Sequence, residues 1–120
     1  MNLDDKKTRY LRDPWQIRLG GLAANLARVK SFSRNEANNQ AVFDLFEESK
    51  YFIEWTARDL EIGVAAELAE LQLQIALWQR ELTRHWATAD TREQLGQASA
   101  RWSQHLLVRS GLIDEQEVTQ

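Results

Sequence analysis

The chain contains no cysteine, a single proline and five glycines in 120 residues. Without cysteine, disulfides, thiolate chemistry and a Cys-ligated zinc are excluded, which fits a reducing compartment. The scarcity of proline and glycine suits a chain that is helical almost throughout. No apolar run approaches the roughly 20 residues that span a bilayer. The opening MNLDDKKTRYLRD lacks the hydrophobic stretch of a secretory signal. Cytoplasmic residence with no membrane span is therefore expected. The net charge of −3 gives no general pull toward nucleic acid.

What the chain does have is one strongly patterned stretch, Val64 to Trp86. Val64, Leu68, Leu71, Ile75, Trp78, Leu82 and His85 alternate spacings of four and three, which keeps one helix face on a partner. At about 1.5 Å per residue the stretch is a rod of roughly 34 Å. Ala66, Leu73 and Leu77 lie nearly opposite that stripe, and no charge interrupts Leu71 to Gln79. A helix that is apolar on two sides needs cover on both. This segment is accordingly expected at the centre of the fold.

The remaining segments supply three more helices. Residues 1–12 read as a loose N-terminal arm. Asp13-Pro14-Trp15-Gln16 has the form of a capping box with proline at the first helical position. The stripe Trp15, Leu19, Leu22, Leu26 and Val29 follows. Gly20-Gly21 interrupts it, and their helix-interior cost of about 1 kcal/mol each suggests close approach of a neighbour or a bend. Ser33 with Glu36 reads as a second capping box, with Asn35 a rival cap. Val42, Leu45, Phe46, Phe52, Ile53 and Leu60 then mark one face of a second helix, and Tyr51 and Trp55 point away from it. A break around Arg58 to Gly63 precedes the patterned stretch, although one bent helix through this point is an alternative. Asp90 with Glu93 reads as a third capping box, opening a last helix with Leu95, Ala98, Trp102 and Leu106 as its stripe. Gly111 suits a left-handed stop with Leu112 folded back on Leu107. Residues 113–120 read as a disordered tail. Short connections between long helices predict an all-α, up-down-up-down four-helix bundle over residues 13–112.

Chemistry is sparse. A di-iron bundle site needs inward glutamates and two Glu-x-x-His pairs, but Leu82 and Trp102 stand three residues before His85 and His105. The two histidines lie too far apart along antiparallel helices to share a metal. His85 reads as a buried-edge histidine bonded to a neighbour. Glu47, Glu48, Glu54, Glu67 and Glu70 read as helix-forming surface residues rather than paired acids. No serine or threonine sits in a nucleophile elbow. Neither catalytic residues, a metal site nor a cofactor are expected.

Charge is unevenly spread: residues 1–34 carry +5, residues 35–70 carry −7 and residues 71–120 carry −1. A basic helix beside an acidic one explains this simply. The sharper reading makes Arg28, Lys30 and Arg34 a patch for an anionic partner. Nucleic acid is disfavoured, since no stacking or base-reading side chains accompany them. A third possibility is a Trp-lined cavity for a small apolar ligand.

RLGGLAANLARVKSF (Arg18 to Phe32), ESKYFIEWTA (Glu48 to Ala57) and AAELAELQ (Ala65 to Gln72) together resemble a family of short, uncharacterised all-helical proteins of cyanobacteria. The similarity runs from about Trp15 to Leu112. It implies a soluble cyanobacterial protein and carries over no functional residue.

The leading functional expectation is a non-enzymatic interaction or scaffolding protein that self-associates through the back face of its third helix, with an unknown protein partner as a further expectation. Tyr51, Trp55, Ala66, Leu73 and Leu77 are its candidate interface, because soluble monomers rarely keep large apolar patches exposed and twofold pairing is the commonest way to cover one.

Overall fold

The computed structural model describes residues 2–114. It contains five helices: α1 (Leu3–Leu11), α2 (Trp15–Phe32), α3 (Asn39–Thr56), α4 (Ile62–His85) and α5 (Ala89–Ser110). Single 3-10 turns at Glu36–Asn38 and Ala57–Asp59 precede and follow α3. The all-α class is as expected, with five helices in place of four. From residue 115 onward, the expected disordered tail lies outside the described residues.

The additional helix corrects the reading of residues 1–12 as a loose arm. Asn2 accepts from the Asp5 backbone N–H at 2.8 Å, Asp4 and Asp5 occupy the first turn, and Arg9 the last. Each placement suits the helix ends. No residue of α1 is fully buried, yet Tyr10 stacks on Phe52 with ring centroids 4.0 Å apart. Tyr10 and the Lys6–Glu48 ion pair both tie the segment to α3. Sparse apolar spacing concealed it.

α2, not α4, is the central element. Its Leu19, Leu22, Ala23, Leu26 and Val29 are wholly inaccessible to solvent. It packs most extensively on α5, then on α3, whereas α4 meets α3 and only sparsely α5. The stripe of α4 is buried from Leu68 to Leu82, with Val64 half-buried and His85 exposed at its ends, but Leu73 remains 64% exposed and Leu77 47% exposed on its other side. Two-sided apolarity in α4 therefore marks a flank with one side left uncovered.

The α2–α5 contact is built from small residues. Ser99 Oγ donates to the Leu26 carbonyl at 2.8 Å, and Ser103 Oγ donates to the Ala23 carbonyl at 2.7 Å. A Cβ on Gly96 would stand 3.4 Å from the Lys30 Cα, so the two backbones nearly touch there. Rising numbers on α5 thus meet falling numbers on α2, and the pair is antiparallel. The same holds for α2 with α3 (Asn25 on Ser49, Arg18 on Asp59) and for α3 with α4 (Gln79 on Glu47). α4 and α5 also run opposite ways, with Glu67 meeting Arg109 near one end and Glu81 lying near Thr91 toward the other. The molecule measures 39 × 38 × 20 Å, a flat slab in keeping with a splayed α4.

The expected capping boxes do not form. Pro14 is the N-cap of α2 without a side-chain hydrogen bond, and Asp13 instead lends its backbone carbonyl to Arg18 Nε at 3.0 Å. Ser33 closes α2 rather than opening the next helix, its hydroxyl donating to the Val29 carbonyl. The rival, Asn35, caps the turn at Ala37. Thr88, not Asp90, is the N-cap of α5. α3 and α4 are separate helices: Leu60 is extended and the Glu61 carboxylate accepts from Gly63 N–H at 2.9 Å. Gly111 does take the left-handed conformation, at φ 78°. Leu112 comes down over Gly20, where a Cβ would stand 2.7 Å from Leu112 Cδ1 and would push that side chain aside.

Candidate functional site

The most prominent unsatisfied surface is the outer face of α4. Ile62 is 84% exposed, and Ala66, Ala69 and Ala76 are exposed along the same helix as Leu73 and Leu77. The face is formed by helical spacing: residues four and seven apart return to nearly the same direction. Glu70 stands at the acidic end of this strip, and Arg80 and Arg84 at the basic end. These three charges are exposed and make no ion pair among the described residues.

Tyr51 and Trp55 belong elsewhere, which corrects their place in the expected interface. Trp55 is 7% exposed, its ring 5.8 Å from Tyr10, 6.1 Å from Phe52 and 5.6 Å from the half-buried Tyr51. α1 covers Trp55 through Tyr10, and Tyr51 packs on Trp55.

Polar groups knit that cluster together. Tyr10 Oη donates to the Arg18 carbonyl at 2.8 Å and accepts from Thr56 Oγ1 at 3.1 Å. Arg18, buried, donates to the Trp55 carbonyl and to Asp59 Oδ2. Asn25, also buried, donates to Glu48 and accepts from Arg28. Burial pushes the Tyr10 phenol up to about 12, against the opposing Thr56 hydrogen bond and Arg18 charge. A raised pKa stabilises the fold while the phenol is protonated in both states. That contribution is present below pH about 10 and is lost as pH rises toward about 12. Ultraviolet titration should show one tyrosine ionising near pH 12, and Tyr10→Phe should delete that component. A native protein with no tyrosine ionising near pH 12 would contradict this geometry.

The proposed anionic-partner residues do not form one patch. Arg28 is tied to Asn25 on the α3 side of α2. Lys30 and Arg34 line a small polar hollow with Arg92, and Glu93 lies beside them.

A larger groove, about 440 Å³, runs between α4 and α5 and is lined by Gln74, Trp78, Ala98, Arg101, Trp102 and His105. Its existence follows from the sparse α4–α5 packing. At one end Glu67 accepts from Arg109 at 2.8 Å and lies 2.8 Å from His105 Nε2. Burial pushes the Glu67 carboxyl up, but hydrogen bonds from Arg109 and His105 outweigh it and hold the group below its ordinary value. The link is thus intact above the ordinary glutamate range and is lost on acidification. His105 meets the edge of Trp102. His85 is exposed, not the buried-edge residue expected. Among the described residues, no three His, Cys, Asp or Glu side chains stand together as metal ligands. No helix among them is long and apolar enough to cross a membrane.

Sequence reasoning missed the hydroxyls of Ser99 and Ser103 and the buried Arg18 and Asn25. The serines carried a signal: Gly96, Ser99 and Ser103 repeat at helical spacing, a small-residue stripe that lets a neighbouring backbone approach. No family model, curated protein or solved structure matches the chain.

Proposed function

We propose that this is a non-enzymatic, cytoplasmic interaction protein that self-associates through the outer face of α4. In this reading α2 to α5 act as an up-down-up-down four-helix unit and α1 as its cover. The resemblance to short cyanobacterial helical proteins belongs to the same proposal. The observation that supports it is the exposure of Leu73 and Leu77 in a helix without charge from Leu71 to Gln79. Covering each leucine would contribute roughly 1.5–3 kcal/mol, set against the cost of association. The reading through Arg28, Lys30 and Arg34 has weaker support, because those cations are divided between two sites.

Leu73→Glu with Leu77→Lys should leave helix content unchanged, since neither side chain is buried. It should weaken self-association at least about a hundredfold, as expected when two leucines leave an interface. Circular dichroism and light scattering read the two effects separately. Unchanged association in the folded variant would place the contact elsewhere.

A further inference from the structure

Resting on that self-association reading, we infer that the partner is a second copy whose α4 lies antiparallel across this one, extending over the α4–α5 groove. The orientation follows from the distribution of charge. The first half of α4 and its cap carry Glu61, Glu67 and Glu70, and the last turns carry Arg80 and Arg84, with Glu81 the exception. Glu67 is committed to Arg109 and His105 within the chain, whereas Glu70, Arg80 and Arg84 have no ionic partner among the described residues. A parallel pair would set acid against acid and base against base. An antiparallel pair sets the acidic half of each copy against the basic half of the other and opposes the two helix dipoles. Leu73 and Leu77, between the two halves, then cross near the twofold axis.

Size brings in the groove. The 24 residues of α4 make a rod of about 36 Å, and a strip about 10 Å wide along it covers roughly 360 Å² per copy. A stable dimer of standard size needs about 800 Å² per partner. Additional apolar surface flanks α4 in the α4–α5 groove, whose floor holds Trp78, Ala98 and Trp102. Trp102 and Ala98 are only half-buried within one chain.

Because the chain has no native cysteine, single cysteines can carry spin labels without background. Labels at Ala66→Cys and Arg84→Cys occupy exposed positions and should leave the fold intact. In an antiparallel dimer crossing near residues 75–77, each should lie roughly 20–35 Å from its own copy, while labels at the exposed Ala76→Cys lie within about 15 Å. A parallel dimer would bring all three pairs within about 20 Å and would overturn the inference. Long distances at all three sites would overturn it too, placing the contact off α4. As a second arm, Arg80→Glu with Arg84→Glu should weaken association about tenfold at low salt, and adding Glu70→Arg should restore it. Failure of Glu70→Arg to restore it would also count against the antiparallel arrangement. A native chain that stays monomeric would instead remove the self-association reading itself, so the two failures are distinguishable.

Discussion

Leu26→Ala will cost about 3–5 kcal/mol of unfolding free energy, while Leu77→Ala will change it by less than about 1 kcal/mol. Leu26 is wholly inaccessible, and its carbonyl accepts the Ser99 hydroxyl, so α5 and α2 are locked around it. Truncation there leaves a cavity in the tightest part of the molecule, where two backbones held together have little freedom to collapse into it. Leu77 is 47% exposed, and its loss removes little that water was excluded from. Denaturant unfolding at concentrations low enough to keep copies apart reads both values. Equal costs at the two positions would make α4 as central to the fold as α2.

Ser99→Val with Ser103→Val will be at least as damaging, at about 4–8 kcal/mol. Each valine forfeits a hydrogen bond of about 1 kcal/mol and forces a larger side chain against the α2 backbone at about 1–3 kcal/mol. The paired alanine variant separates these two effects. Ser99→Ala with Ser103→Ala loses the hydrogen bonds but keeps the close approach, so it should cost only about 1–3 kcal/mol. If alanine and valine cost the same, the hydroxyls and not the spacing hold the two helices. If valine is tolerated, the α2–α5 contact is looser than the Gly96–Lys30 approach indicates.

Much of the fold was legible in the sequence because apolar periodicity reports burial. The stripes Leu19 to Val29 and Leu68 to Leu82 are buried where spacing put them. The left-handed Gly111 was legible for an equally local reason. α1 was hidden because its docking rests on Tyr10 and Lys6, and a single aromatic sets no period. The rank of α2 over α4 was hidden for another reason. Serine and glycine register as polar or neutral in a stripe, yet across a helix pair they permit a close backbone approach. Trp55 points off the stripe of its own helix and so needs cover. α1 is that cover, through Tyr10, and so the buried Trp55 leaves the interface, with Tyr51 packed on it. Leu73, Leu77 and Ala66 were legible as a face off the seam, and they are exposed. What covers them is a matter between molecules, which periodicity within one chain cannot specify.

The central claim is that this exposed face meets a second copy, and sedimentation equilibrium of the unmodified protein at tens of micromolar tests it most directly. The account predicts a species of twice the 14.0 kDa chain mass, dissociating on dilution. A single species of 14.0 kDa across that concentration range would contradict it.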